Sequence, residues 1–246
     1  MVEPLFFSAI GNDTVLGSNF VLSGLEAKHA VSVRRITAGE KIQISDGIQK
    51  LIKGEVISTG KDTLEILVQG IVPIEIPKTK IYLAQALAKG DRDELAIQAA
   101  TELGVFGVIP WQAERSVSIW KDEKKAKGVA RWQQIVHEAA KQSLRGLFPI
   151  VQQPATTSEL VERLKELDQV LVLDPSSNDS ITEFEFRASS SIAVVVGPEG
   201  GVSDRELSAF REAGFELVHL GPGILRTSTA GLAALSYLQA KLGDWN

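Results

Sequence analysis

The sequence predicts an α/β protein in which a small β-rich domain precedes a larger domain built on a mostly parallel sheet. Short strands dominate before residue 72, and strands alternate with helices after it. Two of the later strands run directly into glycine-rich turns. Alternation of this kind is typical of a parallel sheet covered by helices. We therefore divide the chain into domains at residues 1–72 and 73–246.

The first domain contains several short apolar runs separated by turn residues. The predicted strands are Phe20–Leu22, Lys41–Ile44, Leu51–Ile57 and Leu64–Val68. One helix, Leu25–Arg35, interrupts them, and Asp46–Gly47 marks a turn. Several short strands with a single helix indicate a small barrel.

The second domain follows a linker, Val72–Lys78, which carries two prolines. Its predicted strands are Ile81–Ala86, Val105–Pro110, Val170–Asp174, Ile192–Val196 and Phe215–Leu220. Its predicted helices are Arg92–Leu103, one within 124–143, Ser203–Ala213 and Thr227–Lys241.

Two glycine-rich turns are the most informative feature of this domain. The first is Gly197-Pro198-Glu199-Gly200-Gly201, and the second begins Leu220-Gly221-Pro222-Gly223. Turns at the carboxyl ends of strands are where α/β sheets bind ligands, and glycine lets the backbone approach closely. Neither turn matches a phosphate-binding GK[ST] or GxGxxG motif. A tight connection without a ligand remains the alternative from spacing alone.

Composition excludes several classes of chemistry. The chain has no cysteine, which excludes disulfides, thiolate metal sites and a thiol nucleophile. Its three histidines, His29, His137 and His219, are dispersed, so we expect no metal site. The beginning of the chain lacks the pattern of a signal peptide, and no apolar run is long enough for a membrane helix. We expect a soluble, cytoplasmic protein.

The distribution of charge keeps nucleic acid open as a partner. The net charge of −5 argues against it, but residues 78–150 contain 12 basic and 8 acidic side chains. Because phosphate contacts are local, one basic stretch can hold RNA on an acidic protein. For the run Lys121–Lys127 by itself, a solvated helix face is the favoured interpretation. The four tryptophans could stack on bases, although core or interface positions are commoner.

The glycine turns resemble those of the SPOUT methyltransferases, most closely the bacterial 16S ribosomal RNA uracil-N3 methyltransferases. The resemblance extends over nearly the whole chain. In the first domain the matching residues are His29, Val33, Arg35, Gly39 and Asp46-Gly47. Later blocks are Lys89-Gly90-Asp91-Arg92, Thr101–Val105, Glu114-Arg115-Ser116, and Gln142-Ser143 with Arg145 and Pro149. The resemblance implies a PUA-like barrel joined to a trefoil-knotted methyltransferase domain that works as a homodimer.

The resemblance also implies S-adenosylmethionine as the methyl donor, with no metal. The implied cofactor-binding residues are Leu173, Val196, Gly197, Glu199, Gly200, Gly201, Leu220, Gly221, Ile224, Leu225, Arg226 and Thr227. We expect Asp174 to line the same site. The C-terminal helix, with Leu232, Leu235 and Leu238, is expected at the dimer interface.

Methylation of uracil N3 requires loss of the N3 proton, so negative charge on the base must be stabilised. Arg226 is the expected charge-stabilising residue, since a guanidinium can pair two oxygens. Glu199 could accept a proton, contact the ribose or cap the helix that follows. The implied RNA-binding residues, each equally open to being merely solvated, are Arg35, Lys89, Arg92, Arg115, Gln142 and Arg145. If helical, Gln142 and Arg145 share a face.

The chain departs from the family at a few positions. Ser228 and Lys141 stand where glutamate is common, Arg34 replaces a usual leucine, and Leu5 replaces an arginine often seen near the first strand. These departures affect RNA contacts and the proton acceptor more than the reaction class.

Three alternative functions remain: a SPOUT enzyme that methylates a ribose 2′-hydroxyl, a non-catalytic RNA-binding protein, and a metabolite-binding α/β enzyme.

Overall fold

The computed structural model describes residues 3–187, 191–243 and 245. They divide into two compact units. The first holds the chain up to Ile76 together with the segment Ala140–Phe148. The second holds Pro77–Ala139 and the chain from Pro149 on. No pattern in the sequence predicted that residues 140–148 belong with the N-terminal unit.

The first unit is a five-stranded sheet. Its strands are β1 (Leu5–Phe7), β2 (Asn19–Ser23), β3 (Lys41–Ser45), β4 (Lys50–Thr59) and β5 (Thr63–Pro73), in the order β1-β3-β4-β5-β2. Only β1 and β3 pair in parallel among these strands. A short helix, α1 (Gly24–Lys28), continues as one π-helical turn, His29–Val33. The predicted strands and helix are confirmed, while β1 was missed because three residues carry no periodic pattern.

The hydrophobic core of this unit is formed by apolar residues at alternate positions along its strands. Leu64, Ile66 and Val68 of β5 are buried, as are Ile52 and Val56 of β4. Successive strand residues face opposite sides of a sheet, so one apolar face is turned inward. This face forms a single hydrophobic cluster.

The segment 140–148 is fixed to the first unit by side-chain and backbone contacts. Lys141 Nζ lies 2.7 Å from Glu26 Oε1. The Phe148 ring packs on Phe7 with centroids 4.2 Å apart, and the Phe148 N–H donates to Gly47 O at 2.9 Å. Lys141, where the family commonly has glutamate, therefore forms an ion pair that a glutamate could not form.

The second unit is a parallel sheet covered by helices. Its strands are β6 (Lys80–Ala86), β7 (Gly107–Gln112), β8 (Ile150–Val151), β9 (Ala155–Thr156), β10 (Gln169–Leu173), β11 (Ser191–Val196) and β12 (Glu216–Val218). Their order is β12-β10-β11-β6-β7-β8, with β9 also beside β7, and the pairings are parallel. The helices are α2 (Arg92–Glu102), α3 (Glu123–Gln142), α4 (Thr157–Leu164), α5 (Asp204–Glu212) and α6 (Thr227–Leu242), and the last three residues of α3 belong to the first unit.

The sequence predicted the longer of these elements and missed β8, β9 and α4. Two-residue strands have no periodicity to detect. Helix α4 does carry a signal, since Thr156 and Glu159 form a capping box. Strand β7 begins at Gly107 and not at the predicted Val105.

Both faces of this sheet are buried. Ile192, Val194 and Val196 of β11 belong to one hydrophobic cluster, and Ala193 and Val195 belong to the other. A strand buried on both faces reads as a continuous apolar run, as the sequence of β11 does. No helix within the described residues is long and apolar enough to cross a membrane.

Helix α6 directs its leucines into this core. Leu235 and Leu238 are fully buried, and Leu232 is partly buried against the same cluster. The periodic leucines therefore pack within their own chain, which leaves Leu235 and Leu238 unavailable as a surface for a second copy.

One buried carboxyl group stands out in α2. The Asp93 side chain accepts hydrogen bonds from the N–H of Ala88 at 3.4 Å and of Glu94 at 2.9 Å. Burial raises the pKa of Asp93 to about 6, although these hydrogen bonds lower it. Because the ordinary value is 3.8, the folded state is favoured by protonation of Asp93. This contribution is complete below the ordinary pKa and is lost as pH rises through about 6.

Replacing Asp93 with Asn should remove this pH dependence. The stability of Asp93→Asn relative to wild type should rise between pH 4 and pH 7, by up to about 3 kcal/mol. The substitution also changes the group that accepts the two backbone hydrogen bonds. The effect of that change on the free energy of unfolding is the same at both pH values, so it cancels when the two values are compared. Urea unfolding at the two pH values measures it. Asp91→Asn, which changes an exposed carboxylate, is the control, and an equal pH effect there would contradict burial as the cause.

Candidate functional site

Three neighbouring strands of the second unit end at one edge of its sheet. Strands β12, β10 and β11 are adjacent and parallel, so the loops that follow them meet. Between these loops lies a cavity of about 390 Å³. Small-molecule sites span roughly 300–1,000 Å³. This edge of the sheet therefore forms a pocket of suitable size for a small ligand.

All but one of the predicted cofactor-binding residues line this cavity. They are Leu173, Val196, Gly197, Glu199, Gly201, Leu220, Gly221, Ile224, Leu225, Arg226 and Thr227. Asp174, expected beside Leu173, lines it as well. Gly200 does not line it but faces Arg115, since a Cβ added at Gly200 would lie 3.1 Å from Arg115 Cβ.

Of the remaining lining residues, Pro198 and Gly223 fall within the two predicted glycine turns, whereas Pro175, Val202, Val218, His219 and Ala230 were missed. Of these, His219 has a defined structural contact. Its Nδ1 accepts the N–H of Gly221 at 3.0 Å, and Gly221 has a φ of 133° that disfavours other residues. The signal was the position of His219 just before the glycine turn.

The two glycine loops are joined by one threonine. The Thr227 hydroxyl, in the first turn of α6, donates to Gly197 O at 2.8 Å. It accepts a hydrogen bond from Gln85 Nε2 at 2.9 Å. Gln85 is the penultimate residue of β6, pairs with Val196 of β11 and is completely buried. The start of α6, the first glycine loop and β6 are therefore fixed by a single hydroxyl group.

Glu199 forms an ion pair at the mouth of the cavity. Its Oε1 accepts hydrogen bonds from the Lys89 N–H and from Arg92 Nη1, both at 3.0 Å. Burial raises the pKa of Glu199, but its own N–H, the Lys89 N–H and Arg92 outweigh burial and lower it. The ionised carboxylate is favoured, so Glu199 is a weaker base than a free glutamate. Helix α5 is capped by Ser203 and not by Glu199.

Residues of the loop after β7 form hydrogen bonds with the segment that follows the first glycine loop. Glu206, almost fully buried, accepts the Glu114 N–H and the Thr157 hydroxyl, each at 2.8 Å. The Ser203 hydroxyl donates to Glu114 Oε2 at 2.7 Å. A buried carboxylate with several donors is stable only when these partners stay in position.

Arg115 extends this contact to the glycine loop itself. Its Nη1 donates to Gly200 O at 3.2 Å and to Val202 O at 3.4 Å. The Glu114-Arg115-Ser116 motif thus packs beside the first glycine loop, and its arginine fixes two peptide groups of that loop.

Arg226 stands at the start of α6 and lines the cavity. The side chain is exposed. Within the described part of the chain, its guanidinium has no hydrogen bond or ion pair, in contrast to Arg92, which pairs with Glu199. Arg226 is therefore a cation of the cavity whose donors are available to a ligand.

The residues predicted to bind RNA are divided between the units. Lys89, Arg92 and Arg115 belong to the second unit, and Arg35, Gln142 and Arg145 belong to the first. Helix α3 ends at Gln142, and Leu144 has a φ of 57°. Gln142 and Arg145 consequently do not share a helical face. Among residues 3–187, 191–243 and 245, no cluster of three or more acidic or histidine side chains could hold a metal ion.

Fold and site define an α/β protein with a cavity at the carboxyl edge of a parallel sheet, joined to a small β unit. The RNA methyltransferase domain model matches residues 75–239, and the RNA methyltransferase PUA domain model matches residues 22–69. The chain belongs to this RNA methyltransferase family, which confirms the resemblance seen in its glycine turns.

Curated relatives agree with this assignment. Ribosomal RNA small subunit methyltransferase E of Mycobacterium bovis is 38% identical over 253 residues, covering 100% of this chain and 95% of the relative. The protein of the same name from Bacillus subtilis is 38% identical over 228 residues, covering 88% of each chain.

Two solved structures share the fold. A methyltransferase from Legionella pneumophila in complex with bound cofactor SAM has a TM-score of 0.87 at 30% identity, covering 99% of this chain and 100% of the other. Ribosomal RNA small subunit methyltransferase E from Neisseria gonorrhoeae, bound to S-adenosyl methionine, has a TM-score of 0.86 at 29% identity over 100% of both chains. The parallel-sheet methyltransferase fold is thereby confirmed, and the trefoil knot stays a prediction.

Removing the Thr227 hydroxyl should destabilise the second unit. In Thr227→Val, the Gly197 carbonyl and the buried Gln85 amide both lose a partner, which should lower the free energy of unfolding by about 1–3 kcal/mol. Chemical denaturation measures this change. Thr229→Val alters an exposed position of the same helix and should shift it by less than about 0.5 kcal/mol. Equal effects of both variants would show that helix propensity and not the hydroxyl is responsible.

Proposed function

We propose that this protein transfers a methyl group from S-adenosylmethionine to N3 of a uridine in the 16S RNA of the small ribosomal subunit. The observation that carries the proposal is the cavity at the ends of β10, β11 and β12, lined by two glycine loops and by Arg226, whose guanidinium pairs with no described residue. Relatives named for small-subunit RNA methylation support the substrate. Structures with this fold bound to S-adenosyl methionine support the donor.

The lining of the cavity fits such a donor. A nucleoside needs apolar surfaces for the faces of its base and paired donors and acceptors at its edges. Leu173, Val196 and Leu225 supply apolar surface, and the glycine loops supply exposed backbone groups. Asp174 adds a carboxylate, the kind of acceptor that ribose hydroxyls require. These residues would hold the donor, together with the remaining cofactor-binding residues predicted from the sequence.

Bound S-adenosylmethionine supplies a methyl group on a sulfonium, which is transferred by in-line displacement without a metal or a covalent protein intermediate. The protein must hold the uracil in line and stabilise the charge on O2 and O4 that follows loss of the N3 proton. Arg226 is suited to the second task because its guanidinium lines the cavity and is not engaged by a described carboxylate. Its donors can pair with a uracil oxygen or with a phosphate.

Glu199 is assigned a different part in this proposal. Its lowered pKa and its ion pair with Arg92 favour an anchor for residues 89–92 over a proton acceptor. Its predicted place among the catalytic residues stays a prediction, as do the RNA contacts of Lys89, Arg92 and Arg115. A homodimer and a cytoplasmic location also stay predictions.

The proposal is tested by the product. The protein is incubated with S-adenosylmethionine and unmodified small ribosomal subunits, and the RNA is digested and analysed by nucleoside mass spectrometry. N3-methyluridine is expected. A 2′-O-methylated nucleoside would assign the enzyme to ribose methylation. Absence of S-adenosylmethionine binding in calorimetry, with RNA binding retained, would indicate a non-catalytic RNA-binding protein.

Arg226→Ala should separate catalysis from donor binding. Loss of one preorganised donor to a developing anion lowers turnover by about a hundredfold, so kcat should fall by that order. The dissociation constant of S-adenosylmethionine should change by less than about threefold. Arg211→Ala, which removes an exposed arginine of α5 outside the cavity, is the control. Equal losses in turnover and donor affinity would make Arg226 a donor-binding residue.

A further inference from the structure

A second cavity of about 480 Å³ lies on the other side of the segment 88–94. Ala88, Gly90, Asp93 and Glu94 form one wall. The opposite wall comes from residues 117–120 and the first half of α3. No residue of the glycine loops lines it, so it is distinct from the donor cavity within the described chain.

One wall of this cavity is aromatic. The Trp120 ring meets the buried Trp132 edge to face, with centroids 5.4 Å apart and an interplanar angle of 74°. A Cβ at Gly128 would lie 2.6 Å from Trp120 ring atoms, so only glycine lets the indole lie this close to α3. Val117 and Ile119, 63% and 48% exposed, line the same cavity. Trp120 is half-buried, and together with Val117 and Ile119 it gives this cavity an apolar side.

Cations of α3 line the cavity beside this surface. Lys124, Lys127 and Arg131 recur at helical spacing on one face. Arg131 holds Glu94 through two nitrogens, with the shorter contact 2.7 Å. Lys127 has only an exposed ion pair at 3.3 Å, with Glu123.

Lys124 has no hydrogen-bond or ion-pair partner for its amino group among the described residues. The sequence favoured a solvated helix face for the run that includes it. Lys124 and Lys127 are exposed, as expected for a solvated face, and both line the cavity that Trp120 also lines. The carboxylates of this cavity do not oppose an anion fully, because Glu94 is neutralised by Arg131 and Asp93 accepts backbone hydrogen bonds.

The second cavity shares a wall segment with the candidate active site. The Lys89 N–H and the Arg92 guanidinium bind Glu199 of the first glycine loop. Gly90 and Asp93, from the same short segment, line the second cavity. A ligand bound there would contact residues directly adjoining those that fix Glu199.

We propose that the second cavity binds a nucleotide of the RNA strand close to the methylated uridine, with its base on Trp120 and its phosphate at Lys124 and Lys127. This inference rests on the proposed function. Stacking on an aromatic side chain combined with cations for the backbone is the general means of holding single-stranded RNA. Stacking tolerates any base, so the cavity contributes affinity and register, and the donor cavity selects the reacting uracil.

The test compares neighbouring lysines of α3. Lys124→Gln removes a charge from the cavity, whereas Lys125→Gln removes one that lies outside it and acts on Glu159. Lys124→Gln should raise the dissociation constant for small-subunit ribosomal RNA about 3- to 10-fold, and Lys125→Gln should raise it less than about twofold. The slope of log Kd against the logarithm of the salt concentration should decrease by about 0.7 in Lys124→Gln and stay unchanged in Lys125→Gln. Equal effects of both variants overturn the proposal.

Stacking is tested with Trp120→Phe and Trp120→Leu. Phenylalanine keeps an aromatic face and leucine does not, so RNA affinity should fall several-fold further in Trp120→Leu. The affinity for S-adenosylmethionine, measured on each variant, reports whether the second unit is still folded, and it should be unchanged. Equal RNA affinities for the two folded variants would overturn the stacking contact. If the wild type transfers no methyl group but Lys124→Gln and Lys125→Gln still differ in RNA affinity, the proposed function is overturned and the nucleotide site is supported.

Discussion

The candidate active site depends on the hydroxyl group of Thr227. It joins the carbonyl of Gly197 in the first glycine loop to the amide of Gln85 at the end of β6. Loops rich in glycine are intrinsically free in conformation, and their shape must be fixed from outside. The buried position of Gln85 and Thr227 keeps water from competing for these hydrogen bonds, so the second loop, the start of α6 and the first loop hold one relative position.

A second restraint acts on the same loop from the side of β7. Glu114 and Arg115 contact Ser203, Glu206 and the carbonyls of Gly200 and Val202. Because β6 lies between β11 and β7, the first glycine loop reaches across one strand to make these contacts. The Glu114-Arg115-Ser116 motif therefore has a structural role, which is to hold the first glycine loop and the chain after it in place. This role does not depend on contact between Arg115 and RNA.

The segment 88–94 couples the candidate active site to the second cavity. On one side its Lys89 N–H and Arg92 hold Glu199. On the other its Gly90, Asp93 and Glu94 face Trp120 and the lysines of α3. One short segment therefore borders both cavities, through Arg92 on one side and through Gly90, Asp93 and Glu94 on the other.

The sequence by itself determined the fold class, the longer strands and helices, and the glycine loops, because apolar periodicity and turn residues are local properties. Eight-residue α4 and the two-residue strands escaped, since short elements are fixed by the surface they pack against. Only the tertiary structure decided that Gly200 faces Arg115, that His219 supports the Gly221 turn, and that Lys141 pairs with Glu26. It also turned Leu235 and Leu238 into the core of their own chain. These residues are far apart in the sequence, and the order of the strands in the sheet decides which of them come into contact. No local sequence pattern encodes that order.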